Sequence, residues 1–570
     1  MKIFELRPDS NLLKCNFDGY KLSLEPIPIL KSENIPKPDR VLPDTSSEYS
    51  FLHSSLYQLH NHLVADPWLH HCAYYIDVSF VIHKIQYDTT VGRVKQLTPV
   101  YRCAIKRPSN SGGIYNSYLK FISEKYAVLS DGIGGLRILD TGDRQKNNEW
   151  KEIKVYQPLN SSGFIIQDAK FAFENGVKTI HMLLQLIEQI DGKFHNIIHW
   201  LTYVEDGNDK NWREAGRRTL QGKGSLHYLS LDPKCKAFVY SSNYEYKYTN
   251  DSFNEIIEEI PVVDETTEKP QNEESENSFT WTQNGEDITI NFNQQNERSK
   301  NEFQVKCEKS HIEVKYQNQA LLCSDLFAEV DTEMTTWSLE NDFMQLNLVK
   351  KDTELIWPYL IPGGPPADSI NEKQSMLLSS APISDLNTQM EECDYGDDGH
   401  QDEEFFIERL DVCTHKSSHK VFLASNHPLF STTLRPGYPQ AVAVRSDVDC
   451  CLWLQQVSSN DEWSMKHEST LHAFGYIQAS KRERKFLACS PDTNLAVICE
   501  SSRHLFIYKN SYNTAGGLRK RSGPQLTIGQ QKLVSFDGSN GEILGIVVDN
   551  EIILLLTENA ILCLQLSIEE

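Results

Sequence analysis

The 570-residue chain has little of what membrane, secreted or nucleic-acid-binding proteins need. Its most apolar stretch, near the C-terminus, is interrupted by Asp549-Asn550-Glu551 and Glu558-Asn559. No run therefore reaches the ~18 apolar residues of a membrane helix. The opening MKIFELRPDS contains no apolar signal region, so secretion is not expected. The thirteen cysteines are odd in number and none forms a C-x-x-C pair. Disulfides are accordingly not expected, and a reducing compartment is favoured. Positive charge is scarce: 56 Lys and Arg stand against 79 Asp and Glu, for a net charge of −23. Phosphate contacts require clustered Lys and Arg, so this balance argues against a nucleic-acid partner. Two local basic runs, KRERK from Lys481 and LRKR from Leu518, read as solvated loops, with nuclear targeting or nucleic-acid contact as the sharper alternative.

Helical periodicity is also scarce. It is clearest over 48–65, where Leu52, Leu56, Leu59 and Leu63 follow helical spacing and Ser46 or Ser47 is placed to cap. Elsewhere short strands recur. Residues 126–130 lead through a Gly-rich turn into 136–139, and 180–187 and 196–204 flank Asp191-Gly192. The last forty residues read as four strands, 532–536, 543–548, 552–557 and 560–566, which is the size of one propeller blade. Two acidic segments poor in apolar residues, 256–276 and 362–404, read as linkers, the second partly helical. They bracket a middle domain at 277–361 and separate it from β-rich segments 1–255 and 405–570. At ~40–50 residues per blade the flanking segments allow six to eight blades, with seven preferred. No Gly-His…Trp-Asp signature marks the repeats. The expected fold is all-β: one β-propeller of about seven blades, split by an inserted antiparallel β-sandwich. A strand near Tyr20 would pair with C-terminal strands to shelter open edges. Two separate β-domains are the other arrangement the pattern allows.

The middle domain alternates almost without a break. Phe279, Trp281 and Gln283 share one parity, and Ile288, Ile290 and Phe292 share the opposite one. A period of two places each set on one strand face, and Asn284-Gly285 provides the turn between them. The aromatic-x-Trp-x-Gln pattern at Phe279, Trp281 and Gln283 resembles the opening strand of a CS domain of the NudC family. Thr336-Trp337-Ser338-Leu339, Leu346, Leu348, Lys350-Lys351 and Trp357-Pro358 continue the resemblance. FDGYKLSLEP from Phe17, LSDGIGGLRIL from Leu129 and FGYIQASKRERKFLACSP from Phe474 extend it to nearly the whole chain. The acidic linkers and the loop SYNTAGGLRKRSG from Ser511 depart from it.

The resemblance implies a non-enzymatic, co-chaperone-like binding protein. Its partners would be the ninety-kilodalton heat-shock chaperone and β-propeller clients, in the cytoplasm and also the nucleus. The alternative is a propeller scaffold for a stable complex, with the CS domain an accessory contact. Phe279, Trp281, Gln283, Trp337 and Leu339 are expected in the core, where aromatics bury large areas. Lys350, Lys351 and Trp357 are the expected partner-binding residues, at a strand end and just beyond it.

Enzyme motifs do not survive inspection. Gly132-Ile133-Gly134-Gly135 lacks the last Gly of a dinucleotide loop, because Arg137 stands there. Gly216…Gly222-Lys223-Gly224 is one residue too long for a P-loop and lacks its Ser or Thr. In 394–405, Gly396 and Phe405 occupy ligand positions of a calcium loop. His60, His62, His70, His71 and Cys72 are the densest metal-type cluster, but i, i+2 positions on a helix do not face one another. No catalytic residue, cofactor or metal is expected.

Overall fold

The computed structural model describes residues 1–256, 279–361 and 404–566, apart from short stretches of which 293–302 and 511–525 are the longest. Contacts divide the chain into two units: Met1–Glu258 with Asp397–Glu570, and Glu259–Gly396. The segments read as acidic linkers lie almost wholly outside the described residues.

In the first unit, runs rich in β-branched and aromatic residues end at Gly, Asp and Asn turns, so the chain pleats into antiparallel sheets. Seven sheets result among the described residues. Taken in chain order, they begin with the strands Val64–Ala65, Tyr118–Phe121, Ile165–Glu174, Tyr228–Leu231, Phe430–Thr432, Arg484–Cys489 and Ile543–Val548. Each sheet shares a core with the next. Tyr74 of the first joins Leu129 of the second, and Val128 joins Met182 of the third. Trp200 joins Phe238 of the fourth, and Val239 joins Val442 of the fifth. Leu452 joins Ile498 of the sixth, and Val497 joins Ile553 of the seventh. Finally Leu554 shares a core with Tyr75 of the first. Seven sheets joined by seven cores make a closed ring, a seven-bladed β-propeller.

The longest hairpin, Val177–Ile190 with Lys193–Asp206, turns at Asp191 and Gly192. Their φ values of +50° and +75° are the left-handed pair that a two-residue hairpin requires.

Blade boundaries differ from the sequence reading at the C-terminus. Thr527–Ser535 belongs to the sixth blade, and the outer strand of the seventh is Ile29–Glu33, paired antiparallel with Ala560–Gln565. The physical reason is closure: a blade assembled from both ends of the chain leaves no free gap in the ring. Phe17–Leu22 adds in parallel to Thr527–Ser535 as a fifth strand of the sixth blade. The strand at Tyr20 thus pairs with a C-terminal strand, one blade away from the last. Tyr20 fits there because Gly529 lacks a side chain, since a Cβ would lie 2.5 Å from the Tyr20 ring. Its hydroxyl donates to the carbonyl of His472 at 2.6 Å.

The helix read over 48–65 is shorter, Phe51–Gln58, and its cap is Ser50, whose Oγ accepts from the His53 amide at 3.2 Å. Ser46 and Ser47 lie outside the described residues. Helical spacing through Leu63 is overridden because this segment bonds to the strand Ile543–Val548, where the Leu544 carbonyl accepts from the His62 amide at 3.1 Å. Asn61 Nδ2 donates to the Ile546 carbonyl at 2.8 Å and its Oδ1 accepts from the Ile546 amide at 3.0 Å.

The second unit is a sandwich. One sheet runs Phe279–Gln283, Asp287–Phe292, Phe343–Lys350, Val330–Glu340, and the other runs Phe303–Glu308, His311–Tyr316, Gln319–Asp325. Trp281, Ile290, Phe292, Ile312, Val314 and Leu346 meet in its core. Leu326 and Ala328 alternate with Val330 in the sequence but fall between two strands.

Candidate binding site

In the sandwich, the side chains singled out from sequence divide between packing, clasp and surface. Phe279 and Trp281 are buried in the core. Trp337 packs against that core from a half-buried position, 6.2 Å from Phe303 between ring centroids. Leu339 pairs with Met344 in the strand ladder, and its side chain lies outside the described residues. Gln283 acts as a clasp. Its Oε1 accepts from the Trp357 amide at 2.9 Å and from Lys350 Nζ at 2.9 Å, while Nε2 donates to the Trp357 carbonyl at 2.7 Å. The diagnostic amide therefore fastens the segment leaving the last strand onto the first.

This clasp corrects the reading of Lys350 and Trp357 as partner contacts. Both are buried, at 3% and 2% exposure. Trp357 faces Phe327 at 5.9 Å within the core, and burial lowers the Lys350 pKa. A signal for Lys350 was present in the sequence, since it shares parity with Leu346 and Leu348. Lys351 has the opposite parity and is exposed, paired with Glu329 at 2.6 Å. Of the three residues it alone is on the surface.

Gln283→Ala is expected to cost the sandwich about 2–4 kcal/mol, because it removes three hydrogen bonds, one of them from a buried ammonium. Hydrogen exchange of peptides from 279–350 in increasing urea checks this, and a change below 1 kcal/mol would contradict the clasp.

In the propeller, the strands that begin the blades surround a central cavity of about 700 Å³. Its lining takes residues from all seven blades, among them Val64, Leu119, Ile165, Leu231, Ser431, Leu487 and Val547. The segment after the helix lines it too, through His60, Asn61 and His62. The two imidazoles lie 4.5 Å apart, and His60 faces Tyr118. Burial lowers the His60 pKa to about 4, and burial with the neighbouring His60 lowers that of His62 well below its usual value.

The unfolded chain then binds more protons than the folded one below pH ~6.5, the ordinary histidine pKa. Stability from this source is fully present above that pH and is lost as pH falls towards about 4. Urea midpoints should therefore fall between pH 7 and pH 5, and His60→Gln should flatten that fall.

The other motifs resolve into structural roles. His70 and His71 approach Asp549 and Glu551, whereas Cys72 is buried in the core between the first two blades. The five residues of that cluster do not converge. Among the described residues no group of three or more His, Cys, Asp or Glu side chains could hold a metal ion. Gly132 to Gly135 form a hairpin turn, held by Asp131 Oδ1, which accepts from the amides of Ile133 at 3.0 Å and Gly135 at 2.8 Å. Residues 394–403 lie outside the described residues.

The model of the CS domain family matches residues 277–350. Mouse NudC domain-containing protein 1 is 28% identical over 601 residues, covering 99% of each chain. The Xenopus laevis protein of the same name is 27% identical over 593 residues, covering 97% of each. Among solved structures, the CS domain of the human KIAA1068 protein is 22% identical over 18% of this chain and 93% of its own, with a TM-score of 0.15. The β-propeller domain of Myceliophteria thermophila Cps50 (Swd1) is 6% identical over 89% of this chain and 97% of its own, with a TM-score of 0.30. Superpositions this loose carry no weight, and the propeller rests on its sheets and cores.

Proposed function

For a chain homologous along nearly its whole length to NudC domain-containing protein 1 and carrying a CS domain, we propose a co-chaperone-like role without catalysis. The CS sandwich engages the ninety-kilodalton heat-shock chaperone, and the propeller offers a second surface to client proteins, β-propellers among them. The place of action is the cytoplasm, with the nucleus as a second site. The observation that carries this reading is how the sandwich uses its diagnostic residues. Trp281 and Trp357 are spent on the core and Gln283 on the clasp, which leaves outward strand faces and Lys351 for a partner. The segments joining the two units would raise the effective concentration of one surface once the other is bound.

Pull-down of the chaperone by the full chain, and by the chain lacking 277–361, tests this. Loss of the chaperone on deletion is the expected result. Retention would favour a scaffold in which the sandwich is an accessory contact.

A further inference from the structure

The outer face of the three-stranded sheet in the sandwich carries a thiol, an imidazole and a carboxylate in sequence. Cys323, on Gln319–Asp325, is exposed, and its Sγ lies 3.8 Å from Nε2 of His311 on the neighbouring strand His311–Tyr316. Nδ1 of His311 lies 2.7 Å from Asp325 Oδ1. A carboxylate at Nδ1 holds the proton on that nitrogen, which leaves the lone pair of Nε2 facing the thiol. The strand register fixes the set, because His311 sits opposite Asp325 and Glu313 opposite Cys323.

Other charges on this face do not oppose thiolate formation. Glu313, across from the thiol, is paired with Lys315 at 2.5 Å, and on the third strand Lys306 is paired with Glu308 at 2.7 Å.

We propose that Cys323 is a modification site, a thiol activated by His311 that exchanges with small disulfides. The inference stands apart from the chaperone reading. His311 Nε2 accepts the thiol proton, and the Cys323 thiolate attacks one sulfur of the small disulfide. That S–S bond breaks as the new one forms. The other sulfur leaves as a thiolate and takes a proton from the imidazolium. Cys323 is oxidised to a mixed disulfide while the departing half of the reagent is reduced to a thiol. His311 is the catalytic base, and Asp325 is a positioning residue acting through it.

The test uses the full chain, oxidised glutathione and, separately, iodoacetamide, with the label at each cysteine followed by mass spectrometry. Cys413, also exposed, is the internal reference. Cys323 should react about tenfold faster than Cys413 at pH 7, as a base-assisted thiol does. His311→Gln should remove that advantage and change the pH dependence of the rate towards that of an unassisted thiol. Asp325→Asn should slow the reaction part of the way. Half-buried Cys307 reports on the fold. If His311→Gln speeds its labelling, the sandwich has loosened and Asp325→Asn decides by the same rate and pH profile. Equal rates at Cys323 and Cys413, or an unchanged profile in the variant that keeps its fold, would overturn the proposal.

Discussion

Asp66→Ala is expected to lower the stability of the propeller by about 3–5 kcal/mol, because it strands a buried guanidinium without its carboxylate. Asp66 stands at the start of the first blade. Its carboxylate receives Arg144 Nε at 2.6 Å and Nη2 at 3.1 Å, and the two side chains are 0% and 3% exposed. Arg144 also donates to the carbonyl of Glu124 at 2.6 Å and to Thr141 Oγ1 at 2.9 Å, and lies 4.6 Å from the Phe121 ring. One ion pair therefore locks the first blade to the second. Urea unfolding of Asp66→Ala measures the loss. Arg144→Met added to Asp66→Leu should recover much of it, since replacing both charges removes the desolvation cost along with the attraction. A loss under 1 kcal/mol for the single variant would show the pair to be dispensable.

Trp281→Ala should cost the sandwich about 3–5 kcal/mol, the range for emptying a large aromatic site in a core. Trp281 is 0% exposed and pairs with Ile290 across the first two strands. It shares the core with Ile312 and Val314 of the opposite sheet, so its removal opens the space between the sheets. The damage should stay within one unit, because each has its own core. Hydrogen exchange checks both parts. Peptides from 279–350 should lose protection, while those from 177–206 keep theirs. Equal loss in both would mean that the units fold as one.

Local chemistry was readable from the residues. Alternation at Trp281, Ile288 and Ile290 places them in the core, and Asp191-Gly192 marks the hairpin the structure contains. Apart from the pairing of the strand at Tyr20 with a C-terminal one, pairings distant along the chain were not readable. Ile29–Glu33 is a half-exposed five-residue strand with nothing in its composition to say that it completes the last blade. Arg144 and Asp66 stand 78 residues apart, and only the ring brings them together. His311 and Asp325 meet because of strand register, which depends on one turn and a bulge. The aromatic-x-Trp-x-Gln pattern identified the domain, but the role of Gln283 as a clasp depends on where the last strand ends. Trp357 was placed at the surface because it follows that strand, and the clasp draws it inward.

The proposed function places engagement of the heat-shock chaperone on the CS sandwich. Calorimetric titration of the ninety-kilodalton chaperone into the full chain and into Trp281→Ala, after hydrogen exchange has shown an intact propeller in the variant, tests it most directly. Measurable binding by the full chain and at least a tenfold weaker Kd for the variant, about 1.4 kcal/mol or more, are expected. Equal affinity for both would contradict it.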